Sequence, residues 1–232
     1  AALQWCSLVD NEYAVVLDDS ASLTATDSYF RSNYCCVWAY PETAAEIRRS
    51  MFFAHDWTLV FEGGAGDIST SLFYMNFVGI KGSDTLETDI SVSCSNVYSR
   101  FSFNYASTPD QTGLNGNISR DPFFCDTAAA SSLAVSGISP LLPENNECGL
   151  MMGHVTVGCC CIGGLGNVNY DTDDVVDIAD IQALIDNLFL SLTAIACPEE
   201  ADLNYDLGLD ITDLQILIDN QFLTLTPLGT CP

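Results

Sequence analysis

Basic residues are nearly missing from this chain. Its 232 residues include six Lys or Arg against 31 Asp or Glu, a formal net charge of −25. That balance argues against nucleic-acid binding, because phosphate contacts need clustered cations. An anionic membrane surface is disfavoured for the same reason. No uncharged apolar run reaches the roughly 20 residues that a transmembrane helix needs, so no membrane span is expected. The two histidines, His55 and His154, complete no zinc pattern. Neither a phosphate loop nor the Gly and Ser context of a nucleophile elbow is present. The expectation is that the protein is not an enzyme.

Cysteine, by contrast, is abundant. The eleven are Cys6, Cys35, Cys36, Cys94, Cys125, Cys148, Cys159, Cys160, Cys161, Cys197 and Cys231. Without a zinc spacing they read as disulfides of an oxidising compartment, which makes the protein secreted, extracellular or on the cell surface. The odd total leaves a thiol free or bonded to another chain. Neighbours such as Cys35 and Cys36 point to opposite faces of a strand, so each would seek a different partner. The cluster Cys159 to Cys161 is expected to staple Cys197 or Cys231. The opening Ala1-Ala2-Leu3-Gln4-Trp5 is compatible with a mature end left by cleavage after small residues.

Residues 1–160 read as β. The segments 13–17, 34–40, 57–61, 72–78, 85–93, 97–105 and 154–157 alternate or are rich in aromatic and β-branched residues. Gly63-Gly64, Gly82-Ser-Asp, Thr108-Pro-Asp and the stretch from Gly113 to Asn117 read as turns. The expected fold is an antiparallel β-sandwich, with one short helix from Pro41 to Met51. Asp56, Glu62, Asp67, Glu87 and Asp89 are candidates for the carboxylate pair that glycoside hydrolysis requires, although acids are common throughout. Trp5, Trp38 and Trp57 are expected in the core, with sugar stacking as the alternative. Asn117-Ile-Ser119 is a glycosylation sequon on a turn-rich stretch.

Residues 161–232 differ in kind, and Ile162-Gly-Gly-Leu-Gly marks the boundary. One short pattern occurs twice. Its clean copy places Asp202, Asn204, Asp206, Gly208, Asp210 and Asp213 on positions 1, 3, 5, 7, 9 and 12 of a calcium loop. The other copy supplies Asn167, Asn169, Asp171, Asp177 and Asp180, with two extra residues in the loop where Asp173 or Asp174 could add an oxygen. Residues 162–232 hold 13 Asp or Glu and no Lys, Arg or His, so the segment repels itself unless divalent cations neutralise it. Two calcium ions are the expected cofactors. Behind each loop the apolar residues recur at helical spacing, Ile181, Leu184, Ile185 and Leu188 in one copy and Leu214, Leu217, Ile218 and Phe222 in the other.

Two loop-then-helix units over Gly166 to Leu223 resemble the dockerin module. The resemblance implies a calcium-dependent fold and a cohesin-like partner. Ile178-Ala179 and Ile211-Thr212 stand where that family's cohesin-contacting Ser-Thr pairs would be, which favours an apolar packing surface. Two functions follow as expectations. One is a secreted structural protein that assembles with copies of itself into a filament or surface layer. The other is a glycan-binding or glycoside hydrolase cargo module tethered to a cohesin scaffold. Exposed aromatics in a row on one sheet face would favour the second.

Overall fold

The computed structural model describes residues 1–99, 103–125, 133–159, 161, 164–171, 175–224 and 227–231. The chain forms two compact units and is not divided by a single cut. The first unit comprises Ala1–Pro122 and Pro140–Val155, the second Phe123–Ser139 and Thr156–Pro232.

The first unit is a parallel β-solenoid, which overturns the expected antiparallel sandwich. Its first coil is β1 (Ala2–Gln4), β2 (Ser7–Val9) and β3 (Tyr13–Leu17). The second is β4 (Ser22–Thr26), β5 (Tyr29–Arg31) and β6 (Cys35–Ala39). The third is β7 (Ala44–Arg48), β8 (Met51–Phe53) and β9 (Trp57–Phe61). The fourth is β10 (Ala65–Ser69), β11 (Leu72–Tyr74) and β12 (Val78–Lys81). The fifth is β13 (Asp89–Ser93), β14 (Asn96–Tyr98) and β15 (Phe103–Ala106). Each strand pairs in parallel with its counterpart one coil on, building three five-stranded sheets. Period-two alternation is the same for parallel and antiparallel strands. What separates the two folds is a coil spacing of 21 to 24 residues, which brings like positions into register.

Two side-chain ladders fix that register. At one corner Cys6, Ser28, Ser50, Ser71, Ser95 and Asn117 stack, each side-chain oxygen accepting from the backbone N–H one coil earlier at 3.1–3.3 Å. At the next corner Asn11, Asn33, His55 and Asn76 do the same at 2.9–3.0 Å. Buried amides away from a strand ladder need such partners. The chain turns at these corners through left-handed residues, among them Asp27, Arg49, Thr70 and Cys94 at φ 44–52°. That conformation is costly for non-glycine residues. Here the backbone ladder continues through the corners, from Asp27 N to Arg48 O and from Arg49 N to Ser69 O, both 3.1 Å.

Inside the coils like stacks on like. Phe30, Phe52 and Phe73 lie face to face with centroids 4.9 and 4.7 Å apart. Ala25, Ile47, Ile68 and Val92 form a second buried column. The expected helix from Pro41 to Met51 is instead the strand β7 and the corner that leads into β8, because Ala45 and Ile47 alternate into the core. Segments 13–17 and 57–61 are strands as expected, β3 and β9. Segment 72–78 breaks at Met75, φ 57°. Within 97–105, residues 100–102 lie outside the described residues. The disulfide Cys94–Cys148 ties the segment 140–155 to the fifth coil.

The second unit has a small parallel pair, β16 (Ala134–Ser136) and β17 (Thr156–Cys159), beside the disulfide Cys125–Cys159. Among the described residues three α-helices follow, α1 (Ile178–Ile185), α2 (Pro198–Ala201) and α3 (Ile211–Ile218), with α1 and α3 each continued by a π-helical turn. Leu165, Val168, Ile181, Leu184, Ala201, Leu203, Leu214 and Leu217 form their common core. A disulfide between Cys161 and Cys231 clasps the two ends of this segment, and Cys197 is also disulfide-bonded. Cys6, Cys35 and Cys36 are free, so the vicinal pair does not find the separate disulfide partners expected of it. Burial pushes the Cys35 thiol up to about 12 and that of Cys36 well above its ordinary value. Both are therefore inert hydrophobes of the solenoid wall.

Candidate functional site

The two expected calcium loops share one hydrogen-bond plan. In the clean copy the N–H of Asp206 donates to Asp202 Oδ1 (3.2 Å) and Asn204 Oδ1 (3.0 Å). In the other, the N–H of Asp171 donates to Asn167 Oδ1 (3.1 Å) and Asn169 Oδ1 (3.0 Å). Asn204 Nδ2 reaches Asp206 Oδ2 at 2.9 Å, and Asn169 Nδ2 reaches Asp171 Oδ2 at 2.8 Å. Tyr170 and Tyr205 occupy the same left-handed turn position at φ 58° and 61°. The two copies are thus alike over residues 167–171 and 202–206.

The closing acids act twice. Asp213 is fully buried and its Oδ1 accepts from the N–H of Leu203 at 2.8 Å, drawing the loop's start to its end. Its Oδ2 accepts from the N–H of Asp210 at 3.0 Å. Asp180 mirrors this with Asn169 at 3.0 Å and Asp177 at 2.7 Å. Asp177 and Asp210 also cap α1 and α3, each in a capping box with the acid three residues on. Burial raises the Asp180 carboxyl, with Asp171 and Asp177 adding to the rise against hydrogen bonds from Asn169 and Asp177. Gly208 stands beside Asp206, whose Oδ1 accepts its N–H at 2.8 Å. Asp173 and Asp174 lie outside the described residues.

These carboxylates gather without a basic side chain among the described residues of the segment. Asp171 Oδ1 is buried without a hydrogen-bond partner, an arrangement a bound cation would relieve. The donor set is oxygen only, which suits calcium.

A second feature lies on the outer face of the sheet β3-β6-β9-β12-β15. Tyr13, Tyr34 and Tyr40 are exposed there, and Trp38 lies between Tyr13 and Tyr40 with centroids 5.9 and 6.3 Å away. Tyr13 and Tyr34 meet edge to face at 6.2 Å. Trp57 is half-buried at the start of β9, and Phe77 and Phe103 are exposed on later coils. Trp5, at a corner of the first coil, is 61% exposed against His154. None of the three tryptophans is in the core, contrary to expectation, because the inner columns are filled by Phe, Ile, Leu and Val. The period-two pattern could have placed Trp38 outside, since Val37 and Ala39 flank it on the inward side.

Of the five carboxylates considered for glycoside hydrolysis, Asp67 and Asp89 share a shallow groove of about 460 Å3 on the outside of the first sheet. Glu46, in register with Asp67, joins them there but is ion-paired to Arg48 at 2.6 Å. Glu87 lines a neighbouring groove, while Asp56 and Glu62 flank β9. Asp67 and Asp89 are both exposed on this open groove.

Asn117 sits at the end of the first ladder. Its Nδ2 donates to Val92 O at 2.8 Å and its Oδ1 accepts from Ser95 N at 3.1 Å. In the folded chain that amide is buried and committed, which leaves no room for a glycan.

No family model matches the chain, and no match was found among curated proteins or solved structures. Among the described residues no helix is long and apolar enough to cross a membrane. The disulfides are compatible with a secreted protein.

Proposed function

We propose that this is a secreted glycan-binding protein whose solenoid carries the glycan site and whose C-terminal unit is a calcium-dependent tether of the dockerin kind. The observation that carries this reading is the aromatic face of exposed Tyr13, Tyr34 and Tyr40 around the half-buried Trp38. Pyranose rings stack on such faces through their C–H bonds, and rings held by packing lose little entropy on binding. Binding, not catalysis, is the role assigned to the solenoid.

In the tether, Asp202, Asn204, Asp206, Asp210 and Asp213 would hold one calcium ion, with Gly208 offering its carbonyl. Asn167, Asn169, Asp171, Asp177 and Asp180 would hold the other. Bound calcium supplies the positive charge that the segment lacks and couples its fold to the ion. Retardation of the native protein in gels containing polysaccharide tests the glycan reading. Trp38→Ala should lose at least tenfold in affinity, and a native protein that no polysaccharide retards would refute it.

Self-assembly is the second reading, favoured by Ile178 and Ile211, which are 68% and 64% exposed at the N-termini of α1 and α3. Side chains of that kind at the tether's surface suit a copy of the chain, or a cohesin-like domain, with an apolar contact. Light scattering with and without chelator separates them. Large particles that shrink without calcium support assembly, and a calcium-bound monomer counts against it.

A further inference from the structure

We propose that Tyr170 and Tyr205 are positioning residues of the two calcium loops, each holding its loop's turn from an anchor outside the loop. This rests on the calcium reading above and adds what shapes the sites. Both tyrosines fill the fourth loop position, between Asn169 and Asp171 in one copy and between Asn204 and Asp206 in the other. Both are left-handed, at φ 58° and 61°, a conformation that costs a bulky residue free energy. The turn so made aims the next N–H, of Asp171 or Asp206, at the side-chain oxygens of loop positions 1 and 3. That one N–H draws two of the expected calcium ligands together in each loop.

The phenol holds the turn. Tyr170 Oη lies 3.2 Å from Ser136 Oγ, and Tyr205 Oη donates to Thr230 O at 2.6 Å. A glycine makes room for each ring. A Cβ on Gly137 would stand 2.6 Å from Tyr170 Oη, and one on Gly229 would overlap Tyr205 Oη. Alanine at either glycine would therefore push the phenol off its anchor.

Neither anchor belongs to the repeated pattern. Ser136 ends β16, and Thr230 precedes Cys231. The same tyrosine thus works on two different partners. Both anchors are fixed by bonds outside the loops. Strand β16 pairs with β17, whose Cys159 is bonded to Cys125, and Cys231 is bonded to Cys161. Thr230 is bridged to Gly164, and Leu165 N donates to Gly229 O at 2.9 Å. An anchor held in this way keeps its place whether the loop is loaded or not. The phenol then preorganises the ligands, and less entropy is lost when the ion binds.

The test titrates calcium by calorimetry into the full chain after chelation. Tyr205→Phe keeps the ring and removes the hydroxyl. It should weaken one of the two ions by about three- to tenfold, the worth of one hydrogen bond, and leave the other as before. Tyr170→Phe should weaken the other ion, and the double variant both. Gly229→Ala should weaken the same ion as Tyr205→Phe. Added to Tyr205→Phe it should change little, because no hydroxyl remains to be displaced. Urea unfolding with and without chelator separates positioning from plain stabilisation. A hydroxyl that only supports the fold would lower stability equally in both conditions and leave both calcium affinities unaltered. That result would overturn this inference and leave the calcium reading standing. A native protein that takes up no calcium would overturn both.

Discussion

His55 shows how one residue can write a pH dependence into the solenoid. It stands in the Asn11, Asn33, Asn76 column, and its Nδ1 accepts from Asn33 N at 3.0 Å. Burial lowers its pKa to about 4, outweighing hydrogen bonds to the backbone of Asn33 and Phe30. The unfolded chain, with an ordinary histidine near 6.5, binds the proton more readily than the native one. Stability contributed by neutral His55 is therefore complete above about pH 6.5 and is lost as pH falls towards 4, to the extent of about 3 kcal/mol. Urea midpoints measured between pH 7 and 4 should show that loss. His55→Asn, the residue found on neighbouring coils, should remove the histidine's part of it and keep the ladder. A second residue-scale expectation concerns Asp213. Its carboxylate accepts three backbone N–H groups, from Leu203, Asn204 and Asp210, while fully buried. Asp213→Ala should lower the stability of the C-terminal unit by about 2–4 kcal/mol and weaken calcium binding at that loop. Calorimetry and a calcium titration check both, and unaltered calcium affinity would contradict the ligand assignment.

At the scale of elements, the columns matter more than any single strand. Strands of three to five residues are too short to stand alone, and each is held by a neighbour on the coil before and the coil after. Phe52 sits between Phe30 and Phe73 at the middle of the buried aromatic column. Phe52→Ala should cost about 3–5 kcal/mol, the range for a large aromatic removed from a packed core. Phe52→Leu should cost less, because most of the volume is retained. Thermal melts of the two variants give the ranking directly. The ladders explain why the strand segments of the sequence were legible while their direction was not. Inward Leu23, Ala25 and Ile47 alternate with polar neighbours in either arrangement. Ser28, Ser50, Ser71 and Ser95 read as ordinary turn residues until each is set beside its counterpart one coil away.

For the whole molecule, the two units are expected to answer to different conditions. Ladders and apolar columns hold the solenoid. In the C-terminal unit the acidic loops lack a basic partner among the described residues. Ligand binding to the folded state alone stabilises by about 2.7 kcal/mol at a hundredfold excess over Kd. Chelation should therefore lower a transition of residues 161–231 and leave the solenoid's transition in place, as followed by circular dichroism at strand and helix wavelengths. A C-terminal unit whose melting does not respond to chelator would refute the calcium reading. The clasp Cys161–Cys231 limits how far that segment opens once the ions are removed.

Local chemistry was decided by the sequence itself. Asn and Asp at alternate positions, followed by an acid at the helix start, make turn, cap and oxygen cluster within a dozen residues, so both loops and the helices behind them could be read in order. The strong negative charge needed no fold at all to argue against nucleic acid. Only the tertiary structure decided what depends on residues far apart in the chain. Strand direction, the fate of Cys35 and Cys36 and the burial of Asn117 each turn on a partner about one coil away. Alternation along a strand says which side chains share a face. Only the winding of the coil says what that face is packed against and whether it meets solvent.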